Sequence, residues 1–156
     1  MNDATIVQRL RNFLLGLAGF ICAGTIVELL LAKHFDKPMQ IFPFVLCVAG
    51  IAVVVLAWRR PSRAVIQALR GVMALLVAGS LLGVYEHIEG NLEVVREVQP
   101  SAATSTVLLK TLTGAAPLLA PGILALAAMI AISATYYHPA LARHNRAALI
   151  SKEGQL

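Results

Sequence analysis

Long apolar runs separated by short polar clusters dominate the chain, and four of them match the length of a membrane-crossing helix. A bilayer core of about 30 Å needs roughly 20 apolar residues per helix, with a usable range of about 17 to 25. Residues 13–31 form the first run, interrupted only by Glu28, and residues 41–58 form a second with no charge. The third, 65–88, carries Arg70 near its start and Glu86 with His87 near its end; the fourth, 118–137, is again uncharged. The pattern predicts an all-α integral membrane protein, with four transmembrane helices in one bundle and residues 1–156 as a single domain. The first run is longer than the roughly 7 to 15 apolar residues of a secretory signal, and no Ala-x-Ala-type site follows it, so it is read as a retained span.

Beyond the third run the polar positions keep helical spacing. Glu86, Glu89, Glu93 and Glu97 recur at intervals of three and four, while Ile88, Leu92 and Val95 take another face. The third helix is therefore expected to leave the membrane as an amphipathic rod that stops before Pro100, with Gly90 as a weak point. Arg96, three residues after Glu93, offsets part of the acidic repulsion. Ser101, Thr104, Ser105 and Thr106 then precede Val107, Leu108, Leu109 and Leu112, with Lys110 among them. A hydroxyl cap before a short apolar-faced stretch predicts a brief helix on the outer membrane surface or against another subunit. The outer segment as a whole is 89–117, whereas the first outer connection, 32–40, is little more than a turn containing Pro38.

Composition narrows the class. Of the 156 residues, 58% are hydrophobic and 13% charged, against about 45 to 50% and about 25% in soluble domains. That excludes a soluble globular domain and a disordered chain. The pI of 9.7 raises the possibility of nucleic-acid binding, but the 13 Lys and Arg sit at the ends of the apolar runs, which is the placement of topology signals. Nine lie on one side: Arg9, Arg11, Arg59, Arg60, Arg63, Arg70, Arg143, Arg146 and Lys152. Lys33, Lys37, Arg96 and Lys110 lie on the other. Both termini are thus expected in the cytoplasm, in a multi-pass protein of a bacterial inner membrane. Trp58, Tyr136 and Tyr137 fall at the inner boundary and Phe35, Phe42, Phe44 and Tyr85 at the outer one, as aromatic belts should.

Converting position to depth singles out one level. Glu28 lies 17 residues beyond Arg11, and Glu86 and His87 lie 16 and 17 beyond Arg70, roughly 25 Å above the inner edge in each case. Counting 17 back from Arg59 gives Phe42, beside Pro43; counting 17 back from His138 gives Pro121, followed by Gly122. Ionisable groups on two helices therefore share a height with proline breaks in the other two, where freed carbonyls seek partners. Pro117 adds a second break before Pro121. Ionisable groups inside a membrane face the bundle interior and find partners, so Glu28 is expected to contact His87 or Glu86. Gly79 and Gly83 form a close-packing pattern on the same helix. The run from Tyr85 to Asn91, with Glu89 inside it, concentrates the polar residues. His34 is a further candidate ligand, placed in the turn beyond Lys33.

The cluster Glu28, Glu86 and His87, supported by His34, Glu89, Asn91, Pro117, Pro121 and Gly122, has three readings. It pins helices together, it holds a proton, cation or small ligand, or it forms a transition-metal or catalytic site; bis-His haem from His34 and His87 is the weakest. No cofactor is specified, because no close His-rich or Cys-rich spacing appears. Cys22 and Cys47 read as separate buried packing residues, and His138 and His144 as headgroup-facing. Phosphate-binding glycine loops, nucleophile elbows and zinc-protease motifs do not occur, so a catalytic set is lacking. Small size and small-residue stripes predict a non-catalytic accessory or assembly subunit of a larger inner-membrane complex, with the bilayer and other subunits or further copies as partners. The alternative is a small transporter or ligand-binding protein acting through Glu28, Glu86 and His87.

Overall fold

A computed structural model describes residues 2–36 and 38–141. Lys37, Arg143, Arg146 and Lys152, used above for topology, and His144, read as headgroup-facing, lie outside the described residues, as does Met1. The described residues form five helices and no strand: α1 (Asp3–Leu31), α2 (Pro38–Arg59), α3 (Arg63–Val98), α4 (Thr104–Leu112) and α5 (Gly122–Ala134). Three of them, α1, α2 and α3, are long and apolar enough to cross a membrane.

Each boundary has a local cause. The first helix starts well before its apolar run, at Asp3, because nothing between there and Phe13 breaks a helix. It ends through a pair of crossed bonds, His34 N to Leu29 O at 2.9 Å and Lys33 N to Leu30 O at 3.1 Å, around Lys33 in the left-handed region at φ 50°. Pro38 opens α2, where the missing N–H is an orphan anyway. Gln40 reaches back so that its Oε1 accepts from Asp36 N at 2.8 Å. The expected break at Pro43 does not occur, and α2 continues through it; the lost donor affects only the carbonyl of Met39, one turn from the helix start. Ser62 caps α3, its Oγ accepting from Val65 N at 3.2 Å.

The third helix runs its full 36 residues, about 54 Å at 1.5 Å per residue, and passes Gly90 without interruption. Its buried face in the outer part centres on Asn91 and Val95, with Ile88 and Leu92 half-buried beside it and Glu89, Glu93 and Glu97 exposed. The short helix α4 forms where expected and packs on α3, but its N-cap is Ala103 and no side chain caps it. Lys110 ties it down instead, donating to Gln99 Oε1 at 2.8 Å.

The fourth expected span is not one continuous helix. Of residues 118–137 only 13 form a regular helix, about 20 Å. Neither Pro117 nor Pro121 can donate a backbone hydrogen bond, so the chain reaches α5 through turns.

Helices α1, α2, α3 and α5 pack in a ring, each touching the next and α5 touching α1. The core between them is built from small and medium side chains: Ala18 and Cys22 of α1, Cys47 and Val54 of α2, Leu69, Met73 and Leu76 of α3, and four alanines of α5. Alanine faces let backbones approach closely, the usual way for helices to associate in lipid. Cys22 and Cys47, expected as separate packing residues, are both buried and free.

Candidate functional site

One face of α3 organises the irregular stretch that leads to α5. Ser80, Gly83, His87 and Asn91 recur at helical spacing along it. Asn91 is buried and forms a clamp: its Nδ2 donates to Thr111 O at 3.0 Å and Ala116 O at 2.9 Å, and its Oδ1 accepts from Ala116 N at 3.1 Å. One turn lower, His87 Nδ1 donates to Pro117 O at 3.0 Å, which requires the tautomer protonated at that nitrogen. Below that, Ser80 Oγ donates to Pro121 O at 2.7 Å. Buried non-helical backbone must find partners for its polar groups, and these three side chains supply them at successive levels along α3. Each hydrogen bond of this kind contributes about 1 kcal/mol net.

The glycines of α3 allow this approach. A Cβ on Gly83 would stand 2.8 Å from Pro121 Cβ, and one on Gly79 would stand 2.5 Å from Leu46 Cδ1. The two glycines thus serve different neighbours, the lead-in to α5 and the flank of α2. Gly114 is equally constrained, since its Cβ would meet all three terminal atoms of Asn91 within 2.8 Å.

Beside this stripe lies a cavity of about 410 Å³ between α1, α2, α3 and the lead-in to α5. Glu28, His34, Glu86 and His87 all line it, as do Pro117 and Pro121. The residues that counting put at one depth therefore meet in one place: Phe42 and Pro43 of α2 line the same cavity. Glu89 and Gly122 do not line it, and Glu89 faces solvent or lipid. No bond joins Glu28 to His87 or Glu86; the hydrogen bond His87 makes is to the Pro117 carbonyl. Among the described residues no three His, Cys, Asp or Glu side chains converge to hold a metal ion.

The cavity has direction. Moving inward, α2 presents Phe42 and then Leu46, α3 presents Glu86 and then Gly79, and α5 presents Leu124 one turn below Pro121. Leu46, Gly79, Leu124 and Thr25, whose hydroxyl donates to Ile21 O, line one end, and Glu28, Glu86 and His34 line the other. This is the usual make-up of a small-molecule site, apolar walls with a few placed polar groups.

The opposite end of the bundle carries a second polar cluster that charge counting did not reveal. Arg11 Nη2 donates to Tyr136 O at 3.2 Å and Tyr137 O at 2.9 Å. Arg70 donates to Thr135, through Nε to Oγ1 at 2.9 Å and through Nη2 to the carbonyl at 3.1 Å. Two guanidinium groups from α1 and α3 thus close the carbonyl end of α5, where positive charge is favourable. His138 is buried beside them and its Nδ1 accepts from Ala140 N at 3.2 Å, so it caps the turn that follows rather than facing headgroups. Burial first, then Arg11 and Arg70, holds its pKa below the ordinary histidine value. Arginine at matching distance from two helix starts was the available signal, but the carbonyls it seeks leave no mark in a sequence.

No protein family, no curated protein and no solved structure matches this chain significantly.

Proposed function

We propose that the chain is a small, non-enzymatic membrane protein that binds a small ligand in the cavity between α1, α2, α3 and the lead-in to α5. The observation that carries this reading is the pairing of an apolar cavity of about 410 Å³ with Glu28 and Glu86 at its rim. Carboxylates at membrane depth are costly, and are kept mainly where they act on a ligand, an ion or a proton. His87 is the third member, holding the Pro117 carbonyl with one nitrogen and bordering the cavity. In this reading the chain crosses a bacterial inner membrane four times, the fourth crossing made of the lead-in, α5 and its Arg-held end. Both termini lie in the cytoplasm and the cavity opens outward.

Native mass spectrometry of the protein extracted gently from its own membrane tests this. A small bound mass that is lost in Glu28→Gln with Glu86→Gln, with the melting temperature unchanged, supports the reading. A chain that carries no added mass, or that carries it equally well in the double variant, refutes it.

A second reading, an accessory subunit of a larger complex, is favoured by the outer apolar surface. Leu108, Leu109 and Leu112 of α4 and Val94 and Val98 of α3 are all exposed, several turns beyond the bundle. Heavy partner chains in stoichiometric amount in the same spectrum would establish it.

A further inference from the structure

We infer that the ligand of this cavity is a monovalent organic cation with an apolar body, a lipophilic amine or quaternary ammonium; the inference rests on the binding role proposed above. Three observations lead there. First, the charge is one-sided: among the described residues lining the cavity are two carboxylates, and no Lys or Arg. Both are exposed side chains, and with no Lys or Arg among the described lining their field favours positive charge in the cavity.

Second, a bare metal ion does not suit the site. The acids and histidines are spread around the rim and do not converge in threes, whereas a metal ion needs several donors at about 2 Å. His87 moreover spends Nδ1 on Pro117. A charge carried on a larger body needs no such convergence, because the body fixes its position.

Third, the polarity is graded. Leu46 and Leu124 lie about one turn deeper than Pro43 and Pro121, Thr25 one turn deeper than Glu28, and Gly79 two turns from Glu86, so the acids stand toward one end of the lining and the leucines toward the other. An amphipathic cation entering apolar end first buries its body among Leu46, Leu82 and Leu124 and leaves its charge level with the carboxylates. Phe42 in the wall adds a ring of the type that attracts ammonium groups. A neutral ligand of the same shape would gain the burial and leave both carboxylates in a drier site with no counter-charge.

The test uses the full chain in lipid nanodiscs and two probes of equal shape, benzyltrimethylammonium and its neutral isostere neopentylbenzene. Equilibrium dialysis against empty nanodiscs gives the specific binding of each. The expected result is that the cation binds at least about tenfold more tightly than the isostere, and that Glu28→Gln with Glu86→Gln abolishes this preference while keeping the isostere's affinity and the melting temperature. The comparison of probes on the unaltered chain stands even if the variant does not fold. Equal or tighter binding of the isostere overturns the cation assignment and leaves the cavity reading in place. A preference that survives the double substitution overturns the role given to the carboxylates. Binding of neither probe overturns both the cation assignment and the cavity reading.

Discussion

His87 and Pro117 are joined by a hydrogen bond of 3.0 Å from the imidazole Nδ1 to the backbone carbonyl, and this bond ties α3 to the chain just before α5. The Pro117 carbonyl also accepts from Ala120 N at 3.2 Å, but its partner four residues on is Pro121, which has no N–H to offer. His87 fills that place. Removing the ring in His87→Ala is expected to lower stability by about 1 kcal/mol, read as a lower melting temperature in detergent. Glu28→Gln, which breaks no bond, should leave the melting temperature unchanged. If the two substitutions have the same effect on stability, His87 does not act through Pro117.

Asn91 and Gly114 make a stronger test, because they touch. Asn91→Ala removes three hydrogen bonds and strands backbone groups of Thr111 and Ala116, an expected loss of about 2 to 4 kcal/mol. Gly114→Ala would place a methyl 2.5 to 2.8 Å from the Asn91 amide, which must then shift and weaken the same bonds. The two losses should therefore not add. With Asn91 already Ala, Gly114→Ala is expected to cost less than half of what it costs alone, as measured by a double-mutant cycle. Simple additivity would show that the clamp is not what fixes the glycine.

How much of this was legible beforehand follows from what a sequence encodes. Helical rise is constant, so counting residues from Arg11, Arg59 and Arg70 placed Glu28, Phe42, Glu86 and His87 at one height, and the structure has all four around one cavity. Depth counting carries no information about rotation or about backbone partners. It therefore paired Glu28 with His87 or Glu86, whereas the imidazole is bonded to a carbonyl freed by a proline. It also treated Pro43 and Pro121 alike, although Pro43 sits near a helix start and leaves α2 intact, while Pro117 and Pro121 together unwind the lead-in to α5. Ser80 was overlooked because a lone serine between glycines reads as small, and only its distance of one heptad from His87 hints at a shared face. The clamp residue Asn91 was noticed only for its company in the run from Tyr85.

Lys33 occupies a backbone conformation better suited to glycine. It ends α1 at φ 50°, and a side chain there costs about 1 to 2 kcal/mol. Lys33→Gly is expected to raise stability by about 1 kcal/mol, after the greater freedom of glycine in the unfolded chain is offset. The crossed bonds of His34 and Lys33 to Leu29 and Leu30 would be kept, so ligand binding should not change. A lower melting temperature for this variant would mean that the lysine side chain makes a contribution larger than the strain.

At the opposite end, His138 makes stability depend on pH. Its Nδ1 accepts from Ala140 N, and protonating that nitrogen would turn the acceptor into a donor and place a third positive charge near Arg11 and Arg70. Burial and these two arginines lower its pKa in the folded state below the ordinary value of 6.5. The unfolded chain then takes up the proton first as pH falls, so folding releases it. The stabilisation is fully present above pH 6.5 and declines as pH drops from there through the lower folded value, below which the loss levels off. His138→Asn, whose side-chain oxygen can still accept from Ala140 N, removes the titration while keeping the cap. Melting temperatures recorded from pH 8 to pH 5 should fall for the unaltered chain in the lower part of that range and fall less for His138→Asn. The other histidines titrate in both proteins, so only the difference between the two curves reports on His138. Parallel curves would show that neither burial nor the two arginines lowers the His138 pKa and that the pH response of the bundle arises elsewhere.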